Sequence, residues 1–507
     1  MKDKKRLSLN IVAQMVSFSV QFGLNFFLTP FIVGKLGSEA FGFIGLANNF
    51  VTYAQILTVA LNSMAGRYIA IEYHQEKMKM AKSFYSSVFY ANMIMAIIIG
   101  GLSIICCLYL EALINISPDL LFDVKMLFLL MMGNFIISLI FSVLNVATFI
   151  KNRLDLVAVR SIISNILRVL IITVAFSFFA PKLWYVGCAA VVSTLYISFV
   201  NYQYKVKLTP ELTISTKLYK NTYVKTVVKS GIWNTVSRLS NVLEQGFDLL
   251  LANLFISGVA MGYLSITKQI PFVVLALIGT IGSAFAPSLT KAYAKDNKEE
   301  LIKEILVSVK MISFFSIIPL SFLFVFSDIF YNLWLPGQNS EKLYHLTIIG
   351  VIYFPVLLSM EGTQNLWPVM DKVKTYSIVS VSMSLIIFVM VFVGIRYVDY
   401  SYRVYYLVSV SSFFNFIFAL FFIPQYAASC LSVKKTFFYP YTLKVILSLS
   451  LVVLILMFVK DFYEIDSWTK LISFSVIDAI ICIIIGSAII LNRSDRLTIY
   501  RRLKIFS

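Results

Sequence analysis

The sequence predicts an all-α integral membrane protein of about fourteen transmembrane helices. Apolar runs of bilayer-crossing length follow one another from Asn10 to Leu491. Hydrophobic residues make up 59% of the 507 residues and charged residues only 13%, more apolar surface than a soluble fold can hide. Basic residues collect in alternate connecting segments. About 20 apolar residues cross the ~30 Å hydrocarbon core, so each run is long enough to span.

In chain order the spans are expected at 10–34, 41–64, 84–110, 121–149, 157–179, 183–204, 230–256, 259–288, 304–329, 344–369, 375–395, 402–424, 440–460 and 469–491. The first follows the basic start Met1-Lys-Asp-Lys-Lys-Arg6 and is too long for a signal-peptide core. No small-residue cleavage site follows it, so it reads as a permanent span. Ala180-Pro181-Lys182 leaves a very short turn between spans five and six, and the chain breaks again near Gly258. Pro30, Pro271, Pro319 and Pro355 interrupt spans, where each removes a backbone hydrogen bond and can bend a helix. Membrane helices also tolerate proline without any moving part.

Loop charge sets the orientation. With the amino terminus inside, the inside segments hold about 29 Lys and Arg and the outside loops about 7. Positive charge marks the cytoplasmic side, so both termini are expected there. Trp184, Trp233, Trp334, Trp367 and Trp468 all fall at span ends, the depth of the aromatic belt. The net charge of +18 would suggest nucleic acid in a soluble protein; here short loops carry it, so no nucleic-acid partner is expected. No outside loop exceeds about 15 residues, too short for a folded domain.

The halves repeat. At a constant offset of 220 residues, Gln14 matches Asn234, Gln21 matches Asn241 and Asn25 matches Gln245. Ala40 then matches Ala260, Gly42 Gly262, Phe43 Tyr263, Ser63 Ser283, Tyr73 Tyr293 and Asn145 Asn365. Six spans per copy is an even number, so both copies have one orientation and are related by a pseudo-two-fold axis along the membrane normal. The expected organisation is a six-helix lobe at 1–204, a basic cytoplasmic linker at 205–229, and a second six-helix lobe at 230–424. Two additional helices at 440–491 and a basic tail at 492–507 complete it.

Charges inside spans are the candidate functional groups. Asn234, Arg238, Asn241, Gln245 and Asp248 form one stripe of span seven at helical spacing, with Glu244 at its border. Span one has an uncharged counterpart: Asn10, Gln14, Ser17, Gln21 and Asn25. Span five carries Arg160, Ser164 and Arg168, span eight Lys268, and span ten Glu361 with Gln364 and Asn365. Each mid-bilayer charge costs about 2.5–3.5 kcal/mol on insertion scales, so polar surroundings must receive it. The stripes together point to a water-filled cavity whose cations Arg168, Arg238 and Lys268 attract an anion. Gln14, Gln21, Asn25, Asn48, Asn145, Asn241, Gln245 and Asn365 would line it. Glu244, Asp248 and Glu361 are candidates for binding a coupling proton or sodium ion. The alternative is local neutralisation, with Arg238 paired to Glu244 or Asp248. Arg160 reads as a side chain reaching for the cytoplasmic interface, and Asp478 in span fourteen as a local structural partner or a lateral-groove residue.

Enzyme chemistry has no foothold. Gly-x-x-x-x-Gly-Lys-Ser/Thr, Gly-x-Ser-x-Gly, His-Glu-x-x-His and Cys-x-x-Cys are all absent. Cys106, Cys107, Cys188, Cys430 and Cys482 lie in apolar runs without metal or disulfide spacing, and His74 and His345 are too few for a histidine metal site. No catalytic residue, metal or cofactor is expected.

Ala65-Gly-Arg-Tyr-Ile-Ala-Ile-Glu72, continuing through Lys77 to Phe84, follows span two; Ala286-Pro-Ser-Leu-Thr-Lys-Ala-Tyr-Ala-Lys-Asp-Asn-Lys-Glu-Glu300 follows span eight. With Thr29-Pro30 and Leu36-Gly-Ser-Glu-Ala-Phe-Gly42, these segments resemble the multidrug/oligosaccharidyl-lipid/polysaccharide exporter superfamily, and within it the Wzx-type polysaccharide flippases. The resemblance implies two lobes opening alternately to each side of a bacterial cytoplasmic membrane. It implies transfer of an undecaprenyl-pyrophosphate-linked oligosaccharide for O-antigen, capsule or related polysaccharide, alongside glycan polymerase machinery. By location and charge alone, Arg168, Arg238 and Lys268 suit the head-group role. Competing readings are a cation-coupled multidrug exporter of the same fold, a lipid II flippase, and a membrane-embedded polysaccharide polymerase. A carboxylate-dominated cavity would favour the first of these and a large outside loop the last; this chain has neither.

Overall fold

The computed structural model describes residues 2–370 and 372–492; the side chains of 2–9, 11, 237, 240, 241 and 243–246 lie outside the described set. The described residues fold into α-helices, short 3₁₀ turns and one π turn. Two compact units divide at Tyr263/Leu264.

The first unit begins with α1 (Lys2–His74), which bends at Gly37. Gly37 has φ 83° and ψ 169°, a conformation glycine adopts without the clash that a Cβ brings. Spans one and two are therefore one helical path with a bend. There follow α2 (Met78–Leu108), the single turn α3 (Leu110–Leu113), α4 (Leu121–Phe141), the short α5 (Val146–Ile150), α6 (Leu154–Phe178) and α7 (Trp184–Leu208). Next come α8 (Asn221–Phe255) and α9 (Gly258–Thr267), which crosses the division between the units. α1 packs against α2, α6 and α8, and α4 packs against α7.

The second unit holds α10 (Gln269–Ser283), α11 (Ala286–Ala294), α12 (Lys298–Trp334), α13 (Ser340–Val351), α14 (Phe354–Ser359) and α15 (Leu366–Val369). α16 (Val373–Gly394), α17 (Arg403–Ile417), α18 (Ile423–Cys430), α19 (Tyr439–Lys460) and α20 (Trp468–Ile489) follow. α12 is its central helix. Its buried residues run from Leu301 to Trp334, and α10, α13, α14, α19 and α20 pack around it.

Among the described residues, eleven helical segments are long and apolar enough to cross a membrane, and the first, Val12–His74, has length for two crossings about the Gly37 bend. Two expected spans fall outside that set. α8 is too polar, carrying Arg238, Glu244 and Asp248 in its second half. Span ten is no single rod: it is built from α13, α14, a 3₁₀ turn at Glu361–Thr363 and α15. Pro355 at the start of α14 lacks the N–H that would continue α13. Packing groups α8 with α1, whereas the sequence repeat starts its second copy at 230, so contacts and repeat divide the chain at different points.

The repeat is also visible in the backbone. α1 ends at His74 and α11 at Ala294; α2 begins at Met78 and α12 at Lys298. Glu76 (φ 60°) and Asp296 (φ 52°) turn the chain between them in the left-handed conformation. Asn145 and Asn365 each immediately precede a short helix, α5 and α15. Each pair is 220 residues apart, and the Gly37 bend corresponds to the α8–α9 break at Ser257.

The linker after α7 is docked rather than loose. Leu212 is fully buried beside Ile69, Tyr85 and Val227, which contributes roughly 1.5–3 kcal/mol. Ser86 Oγ donates to the Thr213 carbonyl at 3.3 Å and accepts from the Ser215 N–H at 3.1 Å. Ser87 Oγ accepts from the Lys220 N–H at 2.9 Å. Two buried serines of α2 thus satisfy backbone groups on either side of the connector's one 3₁₀ turn, Thr216–Leu218.

Candidate functional site

Two polar helix faces lie against α1 within the first unit, one on each side of its Gly37 bend. The first half of α1 lies along α6. Asn10, 3% exposed, donates Nδ2 to the Asn152 carbonyl at 3.2 Å and accepts from the Asp155 N–H at 3.0 Å. Gln14 Nε2 donates to the Leu154 carbonyl at 3.3 Å. At the other end Phe31 stacks on Phe176 with centroids 5.7 Å apart. α1 and α6 therefore run side by side in one direction, in step at an offset of 140 to 145 residues. That register puts Arg168 at the depth of Gln21 and Asn25, about fourteen residues and ~21 Å into α6.

At this depth Gln21 and Asn25 are exposed, and Arg168 is half-buried with Nε buried and without a hydrogen-bond partner. Two turns earlier Arg160 is only 7% exposed, and its Nη1 is also without a partner. The sequence reading has Arg160 reaching for the cytoplasmic interface; in the structure it is buried on α6, a helix that packs against both α1 and α7. Between the two arginines, Ser164 Oγ donates to the Ser193 carbonyl at 3.4 Å and Ser193 Oγ to the Ser164 carbonyl at 3.3 Å, tying α6 to α7. A buried guanidinium N–H left unmatched is costly. An anionic ligand is one group that would satisfy it.

The second half of α1 forms a seam with α8. Arg238 Nη2 donates to Gln55 Oε1 at 3.0 Å, and Asn234 Nδ2 donates to Ser63 Oγ at 3.1 Å. Tyr68 and Ser230 hydroxyls lie 2.7 Å apart, and Tyr53 stacks on Phe247 at 5.6 Å. Arg238 thus has a neutral amide partner across the seam, and Asp248 is half-buried one helix face along. The side chains of Asn241, Glu244 and Gln245 lie outside the described residues. One end of the seam is latched. The Asn115 N–H donates to Asn253 Oδ1 at 2.8 Å, Asn253 Nδ2 donates to the Asn115 carbonyl at 2.9 Å, and Ser117 Oγ donates to Glu39 Oε1 at 2.6 Å. There Gly42 and Gly262 bring the backbones of α1 and α9 together. A Cβ on Gly42 would lie 2.7 Å from the Gly262 nitrogen, and one on Gly262 would overlap the Ser38 carbonyl oxygen.

In the second unit, Lys268 sits half-buried at the junction of α9 and α10. Glu361 lies on the 3₁₀ turn that breaks span ten. Among the described residues no hydrogen bond or ion pair reaches its carboxyl, and a methyl on Gly279 would sit 4.0 Å from Glu361 Oε1. Asn365 Nδ2 donates to the Gly282 carbonyl at 2.8 Å. Ser308 Oγ, fully buried and without a partner, abuts Gly362.

The remaining predicted lining residues have local partners. Asn48 Nδ2 donates to the Ile44 carbonyl of its own helix at 2.9 Å, and Asn145 Oδ1 accepts from Asn201 Nδ2 at 2.7 Å. Sequence reasoning missed Gln55 and Ser63, the partners of Arg238 and Asn234. It also missed the network of Asn62, Asn92 and Ser142, whose two amides exchange hydrogen bonds at 3.0 Å. The available signal was the polar content of span two, where Gln55, Asn62 and Ser63 follow Asn48, Asn49 and Thr52. Among the described residues, no group of three His, Cys, Asp or Glu gathers to hold a metal.

With helical described residues that include eleven segments of membrane-crossing length, the protein is a multi-pass membrane protein. The polysaccharide biosynthesis protein family matches residues 7–292, and the chain belongs to that family. It is 27% identical over 375 residues to the uncharacterized membrane protein EpsK of Bacillus subtilis (strain 168), covering 74% of each chain. Its fold is shared with an inward-facing multidrug resistance MATE family transporter (TM-score 0.68, 14% identity, 84% of this chain and 98% of that one). It is equally shared with the lipid II flippase MurJ in an inward closed conformation (TM-score 0.67, 14% identity, 95% of this chain and 98% of that one).

Proposed function

We propose that the protein is a flippase that moves an undecaprenyl-pyrophosphate-linked oligosaccharide across the bacterial cytoplasmic membrane by alternating access. Both termini would face the cytoplasm. The chain would act as a transporter and carry out no covalent chemistry, supplying surface polysaccharide assembly and its polymerase with substrate. The observation that carries the reading is the polar layer on α1 and α6: a half-buried Arg168 with an unmatched Nε at the depth of exposed Gln21 and Asn25. A diphosphate offers the paired oxygens that a guanidinium fork matches. Arg238 would join it by exchanging a neutral amide for a phosphate; Lys268, in the second unit, is the third candidate cation by charge. Glu361, unpaired among the described residues and set at a helix break, is the carboxylate best suited to a coupling proton or sodium ion, with Asp248 and Glu244 as further candidates. Broken helices are where transporters of known type place such sites.

Family membership supports the glycan class over drugs. The likeness to the lipid II flippase extends over 95% of this chain, against 84% for the drug exporter. The test is genetic and direct. Arg168→Ala, Arg238→Ala and Lys268→Ala are each expected to lower export of one surface glycan at equal protein abundance, and deletion of the gene to abolish it. Normal export by all three variants would refute the cavity site.

A further inference from the structure

The last helix carries a carboxylic acid that the proposed pathway does not use. Asp478 is the eleventh of the 22 residues of α20, about 15 Å from either end. It is 1% exposed, against α12. Ser321 Oγ lies 2.7 Å from Asp478 Oδ1, Cys482 Sγ lies 3.3 Å from the same oxygen, and Ser321 Oγ and Cys482 Sγ are 3.2 Å apart. Ser321 and Cys482 are themselves buried.

The protons of this cluster can be arranged in two ways. Ser321 has one, and two acceptors in reach: Asp478 Oδ1 and the Ile318 carbonyl at 2.8 Å. Cys482 has one, and two acceptors: Asp478 Oδ1 and the Ile317 carbonyl at 3.8 Å. If the carboxyl is protonated, it donates to Ser321 Oγ, Ser321 donates to Ile318, and Cys482 donates to the acid's remaining lone pairs. If it is ionised, both side-chain donors turn to it. The cluster can therefore hydrogen-bond either form, but only the ionised form needs a counter-charge.

No counter-charge is at hand among the described residues. On α12, Lys310 is eleven residues before Ser321 and lies 6.0 Å from the Tyr441 ring centre; Asp328 is seven residues after it and is matched by Lys460 of α19 at 2.7 Å. Lys298 to Glu304 lie at the far start of α12, and Lys444 lies in the second turn of α19. On α20 itself Lys470 pairs with Asp466 at 2.8 Å. Only Cys482 is a second titratable group facing the acid among the described residues. An unpaired buried charge in such a place is strongly unfavourable.

We propose that Asp478 is a proton-binding site that holds the C-terminal helical hairpin α19–α20 onto α12, closed while the acid carries its proton. At mid-membrane the proton can leave only when the α12–α20 seam opens to water, where the carboxylate is solvated. Opening favours proton loss, and proton loss favours opening, by linkage. The hairpin lies beyond the internal repeat of the sequence.

Two measurements on the full-length protein in nanodiscs test it. Infrared difference spectra of wild type minus Asp478→Asn should show the carbonyl stretch of a protonated carboxylic acid at neutral pH. That band should shift in Ser321→Ala, which keeps the acid and removes its partner, and should fade in wild type as pH rises. Cys482 labelling by a permeant maleimide should then be followed in a chain with Cys107, Cys188 and Cys430 replaced by alanine and exposed Cys106 kept as reference. The ratio of Cys482 to Cys106 labelling should rise with pH by up to about tenfold per unit, the limit for one linked proton, and stay flat in Asp478→Asn. Two outcomes overturn the proposal: no acid band in wild type at neutral pH, or the same pH dependence of labelling in both chains.

Discussion

Single side chains decide what this membrane protein can hold. Arg168 and Arg238 differ in their partners: the first has an unmatched Nε, and the second rests on the Gln55 amide. A hydrogen bond to a charged group contributes about 1.5–3 kcal/mol net, and 1.4 kcal/mol is about a factor of ten. Arg168→Ala should therefore lower affinity for a diphosphate lipid roughly tenfold or more. Arg168→Lys should recover only part of it, because an ammonium lacks the two-pronged fork. Gln55→Ala leaves Arg238 without its resting partner; it should retain binding and alter the rate of transport. Quantitative binding of a polyprenyl diphosphate to detergent-solubilised variants checks all three. The charged candidates were legible in the sequence because ionised residues are rare in apolar runs. Gln55 was not, because it is one of four amides in span two and carries no sign of what it faces until the neighbouring helix is placed.

Among the elements, close helix contacts are set by glycine and broken helices by proline and 3₁₀ turns. Gly262→Ala would drive a methyl into the Ser38 carbonyl, an overpacking cost of about 1–3 kcal/mol. At Gly23 nothing lies within 4 Å of the point a Cβ would occupy, so Gly23→Ala should leave the melting temperature unchanged or slightly raised. Thermal unfolding of the two variants in one detergent separates contact from helix propensity. The Ser321 and Cys482 side chains lie 3.2 Å apart, so Ser321→Cys should form a disulfide with Cys482 under mild oxidation and lock α20 to α12. A mobility shift reversed by reductant reads the bond, and failure to cross-link would mean that the two helices sit further apart. The span intervals were legible from hydropathy. The continuity of spans one and two through Gly37, and the fragmentation of span ten, were not. A glycine bend and a 3₁₀ turn keep the same average hydropathy as a straight helix, so only the backbone reveals them.

Across the whole molecule, duplication organises the chain. Helix starts and stops recur 220 residues apart, and the same offset is carried by scattered polar and small residues of the sequence. What the sequence left open was where packing would divide the chain, because α8 belongs to the second copy by repeat yet lies against α1. The orientation expected from loop charge can be tested directly. A cysteine placed at Lys217 in an otherwise cysteine-free chain should react with impermeant reagent only from the cytoplasmic side, and one at Asp461 only from outside; the reverse pattern would invert the topology. The most direct measurement of the central claim, that mid-membrane cations carry an anionic lipid across, is flipping in proteoliposomes of a fluorescent polyprenyl-diphosphate sugar, read by quenching from one side. Wild-type protein should expose the lipid to the quencher faster than protein-free vesicles do, and the Arg168→Ala/Arg238→Ala double variant should fall back to the protein-free rate. A double variant as fast as wild type would contradict the account.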